Sequence, residues 1–140
     1  MTIDSIDRKI LEILKMNSRA TYTEIARLIG LSETAVRKRL GKLISSGVIR
    51  RFTIEYTLED EVQAIILVKT QTLPQTPEIS SKIRSIKGVE LIYEVTGEYD
   101  VVALIRGSSI NEINTYIDQV RSIAGVASTY TMIVLRKIYD

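Results

Sequence analysis

Cysteine and histidine are both absent from this chain. Without thiols or imidazoles there are no disulfides, zinc fingers, His-based triads or thiol nucleophiles, so neither a metal nor a cofactor is expected and an enzyme is disfavoured. Also missing are a cationic leader ahead of a short apolar run and any uninterrupted apolar stretch of about 18 residues. The expectation is a cytoplasmic protein without a membrane partner. What is present is ordinary: 140 residues, 45% hydrophobic and 26% charged, enough for one domain or two small ones with real cores.

The net charge of +2 conceals an asymmetry. Through residue 54 there are eleven Lys/Arg against five Asp/Glu, and from residue 55 onward eight against twelve. A basic front thus precedes an acidic back. The seam is EYTLEDE, residues 55–61, which lies between a helical pattern and a β-branched run. We therefore expect a DNA-binding domain over 1–54, a linker over 55–61 and a second domain over 62–140.

Three helical signals fill the front half. Ile6, Ile10, Ile13 and Leu14 make one apolar stripe, with Asp4 and Asp7 where a first turn favours negative charge, predicting a helix over roughly residues 4–17. Thr21 and Glu24 have capping-box spacing, Ile25, Leu28 and Ile29 supply a buried face, and Gly30 ends that short helix. Ser32 caps the next, whose apolar stripe is Val36, Leu40, Leu43 and Ile44. Two short helices around a three-residue turn are the spacing of a helix-turn-helix.

The third helix carries the chemistry. Its apolar stripe leaves Thr34, Lys38 and Lys42 pointing away from the core, with Ala35, Arg37 and Gly41 on the flanks. An α-helix fits the major groove of double-stranded DNA, where Arg or Lys donates to guanine and Thr or Ala methyls meet thymine. Thr34, Arg37 and Lys38 are the expected base readers. Ser32 and Ala35 flank them, and Arg39, Lys42, Arg50 and Arg51 are placed for phosphate contact, which adds salt-dependent affinity. A lone cationic helix face is as often simply solvated. Here the capped short helix, glycine turn, confined positive charge and a hydrophobic-then-basic wing, GVIRRF at 47–52, occur together.

The back half repeats itself. IRSIKGV at 83–89 returns 37 residues later as VRSIAGV at 120–126, and at the same offset Tyr93 falls on Tyr130 and residues 64–68 on 101–105. Each unit reads strand, helix, strand, so two copies predict a ferredoxin-like βαββαβ domain and an α+β protein overall. The first and third strands are unbroken apolar runs, which implies cover on both sheet faces. Two helices cover only one face, so the other predicts a homodimer, which would also pair recognition helices for half-sites about 34 Å apart. Thr96-Gly97-Glu98-Tyr99-Asp100, between the second and third strands, reads on its own as an ordinary turn.

The combination of IARLIGLSETAVRKRLGKLISSGVIRRF with a βαββαβ half containing TGEYDVVALI resembles the Lrp/AsnC, or feast/famine, family of bacterial and archaeal regulators, along essentially the whole chain. The resemblance is to archaeal members, including the lysine-responsive branch. It implies dimers assembling into tetramers or octamers, promoter binding, and an amino-acid effector held between dimers beside Thr96, Gly97, Glu98, Tyr99 and Asp100. Asp100 would accept from the effector ammonium, backbone N–H groups near Gly97 would hold its carboxylate, and Thr129 and Thr131 would wall the site from a neighbouring subunit. An inward Glu98 would favour lysine. A coupling of about 1 to 3 kcal/mol between sites suffices for 5- to 150-fold changes in promoter occupancy. The competing readings are an architectural, chromatin-like DNA binder without an effector, and an acylphosphatase-like enzyme, whose anion cradle the loop Thr70-Gln71-Thr72-Leu73-Pro74 does not offer.

Overall fold

The computed structural model describes residues 1–72 and 74–139; Leu73, in the loop just discussed, and Asp140, at the end of the 62–140 span, lie outside the described residues. The chain divides into two units, Met1–Tyr56 and Thr57–Asp140, each with its own core.

Three helices make the first unit: α1 (Ser5–Met16), α2 (Tyr22–Ile29) and α3 (Glu33–Ser45). Local chemistry sets each boundary. Asp4 caps α1 and exchanges hydrogen bonds with Asp7, a capping box that the spacing of the two acids had suggested only as a charge preference. Thr21 and Glu24 form the expected box at α2, and Gly30 ends that helix at φ 72°, where a side chain would be strained. Ser32 Oγ accepts from Ala35 N at 3.1 Å and opens α3 after a three-residue turn. Ile10, Ile25, Val36 and Leu43 are fully buried at the centre.

Three expectations fail here. Ile44, expected in the buried stripe of α3, is 46% exposed. Leu28 is 64% exposed and Ala26 takes its place in the core, because α2 lays its 25/29 side, rather than its 28 side, on α1 and α3. The sequence 47–52 is no wing: no strand forms among residues 47–57. Gly47, at φ 75°, donates to Ile44 O while Ile49 N reaches back to Leu43 O at 2.9 Å, so this segment closes the C-terminus of α3 and packs Ile49 on the core. A hairpin needs a second strand, and these backbone groups are already used by the helix. Beyond it, Phe52, Ile54, Tyr56 and Leu58 alternate with polar residues and stay 45% or more exposed, a period of two that runs into the seam at 55–61.

The second unit is a four-stranded antiparallel sheet in the order β2-β3-β1-β4. Its elements are β1 (Val62–Thr70), α4 (Thr76–Arg84), β2 (Val89–Glu94), β3 (Val101–Gly107), α5 (Ile110–Arg121) and β4 (Val126–Ile133). This is the duplicated βαββαβ arrangement, with the apolar strands β1 and β3 central. Ala64, Ile66 and Val68 of β1 and Val101, Ala103 and Ile105 of β3 point to the helices and are buried against Ile79, Ile83, Ile113 and Val120. The registry of β2 and β4 puts Leu91 and Tyr93, and Tyr130 and Met132, on the opposite face beside Ile65, Leu67, Val102 and Leu104. That face carries no helix among the described residues of this unit. Among the described residues no helix is long and apolar enough to cross a membrane.

Candidate nucleic-acid interface and effector turn

α3 is cut by its own periodicity into a buried side, Val36, Leu40 and Leu43, and an outer side on which Thr34, Arg37, Lys38 and Lys42 are exposed. Ala35 is half-buried on the flank, and Ser32 is engaged as the N-cap. Among the described residues Lys38, Lys42, Arg50 and Arg51 enter no ion pair, so their charge is available to a polyanion. Arg37 is exposed too, but not loose: its Nη2 donates to Glu33 Oε1 at 3.2 Å and its guanidinium lies 4.5 Å from the Tyr22 ring centroid.

Arg39 departs from its expected role. Its Nη1 lies 2.7 Å from Asp4 Oδ2 and 2.9 Å from Asp7 Oδ1, and the Asp7 side chain is only 4% exposed. The bond from Asp7 N, then the Arg39 guanidinium, hold the Asp4 carboxyl below its ordinary range, and the two carboxylates hold the Arg39 pKa up. Arg39 therefore answers a buried charge and ties α3 to the start of α1. A phosphate would have to compete with both acids. The separation of 35 residues between Arg39 and Asp4 left no mark in the local sequence pattern.

At the far end of β1 and β3 lies the turn Thr96 to Asp100. Asp100 N donates to Val68 O, Val95 N to Asp100 O, and Asp100 Oδ2 accepts from Thr70 N at 2.8 Å and Thr70 Oγ1 at 3.0 Å. Those two bonds, the backbone one first, keep the Asp100 carboxyl ionised below its usual range. Lys69 Nζ donates to Glu98 O at 2.7 Å. The turn is thus moored by Lys69 and Thr70, which the sequence reading missed because they belong to another strand. Gly97 sits at φ 120° with open space where a Cβ would be, Glu98 is exposed, and Tyr99 and Asp100 are half-buried.

One oxygen of Asp100 is consequently committed to the fold. Thr129 and Thr131, expected at the turn from a neighbouring subunit, lie on β4 within one chain. Both project from β4 toward the helices, opposite Val68 and Ile66, where Thr129 Oγ1 accepts from Arg121 Nε at 3.0 Å and Thr131 Oγ1 is buried without a partner. No group of three or more acids that could hold a metal occurs among the described residues.

A trihelical unit with a cationic, outward-facing third helix, joined to a βαββαβ unit, defines the class of helix-turn-helix transcriptional regulators with a ligand-binding domain. Residues 3–44 match the AsnC-type helix-turn-helix domain and residues 63–140 the Lrp/AsnC ligand binding domain, and the chain belongs to the Lrp/AsnC family. It is 55% identical over 134 residues, 96% of each chain, to the HTH-type transcriptional regulator LysM of Sulfurisphaera tokodaii. Among solved structures it is similar to AsnC of E. coli, with a TM-score of 0.79 and 28% identity over 100% of this chain and 97% of that one. A transcriptional regulator of Neisseria meningitidis in complex with L-Met gives a TM-score of 0.82 and 26% identity over 99% and 94%.

Proposed function

We propose that this regulator reads double-stranded DNA as a homodimer, capable of further assembly to tetramers or octamers, and that an amino acid, lysine, modulates that binding. Thr34, Arg37 and Lys38 meet base edges in the major groove, while Lys42, Arg50 and Arg51 meet phosphates. The observation that carries the reading is the outer face of α3, where Lys38 and Lys42 stand exposed without ion-pair partners among the described residues, on a helix whose opposite side buries Val36, Leu40 and Leu43 in the core.

The effector site is the turn Thr96 to Asp100. Its support is the pre-ionised Asp100 carboxylate, moored through Oδ2 with Oδ1 outside that pair of bonds, beside open space at Gly97. An effector ammonium meets Asp100, backbone N–H groups near Gly97 meet the carboxylate, and Glu98 selects a cationic side chain. The turn stands open in a single chain, in keeping with a ligand enclosed between dimers.

Fluorescence anisotropy on duplex from the chain's own promoter region, titrated with each of the twenty amino acids, tests this. Lysine should shift the midpoint by 5- to 150-fold, the range of ordinary allosteric coupling. Asp100→Ala should abolish the shift for every ligand, and Glu98→Gln should reduce it for lysine above all. An unchanged midpoint with every amino acid sinks the effector reading and leaves the DNA reading standing.

A further inference from the structure

Glu33, at the first position of α3, was not among the expected reading residues, yet it is the hub of a small network. Its Oε2 accepts from Thr23 Oγ1 at 3.0 Å, its Oε1 accepts from Arg37 Nη2 at 3.2 Å, and Arg37 in turn lies over the Tyr22 ring. Tyr22 and Thr23 open α2, and Glu33 and Arg37 open α3, so the network joins the first turns of both helices of the motif.

We propose that Glu33 is a positioning residue for base recognition: with the Tyr22 ring it fixes the Arg37 guanidinium so that its remaining donors present one geometry to the major groove. The inference rests on the reading of α3 as the DNA-contacting helix.

Three physical points support it. An arginine is a long chain with large rotamer freedom, and an exposed i,i+4 ion pair alone holds it weakly. Here the ring and the Thr23 bond supply two further restraints, one on the guanidinium plane and one on the carboxylate that holds it. Guanine recognition needs two donors in a fixed fork, and an arginine has five N–H groups, of which Glu33 uses one. Finally, both Glu33 oxygens are occupied, so this carboxylate orients the reader instead of reading a cytosine amino group itself.

The test is selection of the full-length protein against randomised duplex DNA, with base preference extracted position by position and the salt dependence of binding measured alongside. Arg37→Ala should erase a guanine preference at one position of each half-site. Glu33→Ala should weaken that same preference on the order of ten-fold, within the discrimination one bidentate pair supplies, and leave other positions and the salt slope unchanged. Glu33→Gln keeps the reach and an acceptor for Arg37, and should retain most of the preference. Glu33→Asp keeps negative charge in the first turn of α3 but loses the reach, and should resemble Glu33→Ala, which also serves if the alanine variant does not fold. Wild-type behaviour of Glu33→Asp, or an equal loss at every position, overturns the inference while the DNA reading survives. An Arg37→Ala variant with unchanged preferences, or a wild-type chain that binds no duplex, overturns both.

Discussion

At the scale of single residues, the cations of the first unit fall into two kinds that composition does not separate. Arg39 is committed to Asp4 and Asp7, whereas Lys42, one turn along α3, has no ionic partner among the described residues. Removing Arg39 would leave Asp7, with a side chain 4% exposed, without its counter-charge. Stranding a buried charged acceptor costs about 1–3 kcal/mol or more. Arg39→Met should therefore lower the unfolding free energy of the full chain by that order, seen as a lower denaturant midpoint, while the slope of log affinity against log salt stays as in wild type. Lys42→Ala should do the reverse: stability within about 0.5 kcal/mol, weaker binding to every sequence, and a salt slope shallower by about 1. Chemical denaturation and anisotropy at several salt concentrations check the pair. An Arg39 variant with the shallower slope would return that residue to the phosphate set. The sequence could not sort the two, because local phase says which way a side chain leaves its helix and nothing about an acid 35 positions earlier.

At the scale of elements, legibility followed locality. The Thr21–Glu24 box, the Gly30 stop, the Ser32 cap and the duplicated strand-helix-strand unit are set by residues within a turn or two of each other, and the structure has them where the spacing placed them. The wing was misread because a basic segment after Gly47 suits a hairpin and a helix C-terminus equally, and only the reach of Ile49 N to Leu43 O decides between them. The moorings of the turn Thr96 to Asp100 were hidden for the same reason, since Lys69 and Thr70 meet it only through sheet registry. The start of α5 carries a local lock, built from partners four residues apart. Glu112 accepts from Ser108 N and Oγ and from Tyr116 OH, and Tyr116 lies where a Cβ on Gly88 would fall. The Ser108 hydroxyl first, then Tyr116, bring the Glu112 carboxyl from 4.5 down to about 2. A depressed carboxyl contributes stability that is complete above its unfolded value and lost as pH falls through its folded one. The melting temperature of wild type should thus exceed that of Glu112→Gln above about pH 4.5, with the gap closing as pH falls toward 2. A gap that persists unchanged to pH 2 would show that the carboxylate charge contributes nothing there.

For the whole molecule, the face of the sheet that α4 and α5 leave bare is the surface that bears on assembly. Ile65, Leu67, Val102 and Leu104 are half-buried there, and Tyr93 and Tyr130 are 57% and 55% exposed, a contiguous apolar surface of the kind that soluble monomers seldom present. The proposed homodimer would cover it with a second copy, because a two-fold axis through the sheet would set the patch against itself. It would also supply two recognition helices, each for one half-site. Leu104→Glu puts a carboxylate on each side of that axis, where the two charges would face desolvation and mutual repulsion, yet in a single chain the position borders solvent and tolerates the change. Sedimentation should then find monomer in place of dimer or larger species, with the melting transition of the remaining fold retained. Linking two modules raises affinity by roughly 10²–10⁴-fold over one, so binding to a palindromic duplex should fall by that order while binding to an isolated half-site is unchanged. If the variant instead keeps the wild-type mass and palindrome affinity, the sheet face is not the interface, and the proposed coupling between the turn Thr96 to Asp100 and the recognition helix would have to run through a different pairing of copies.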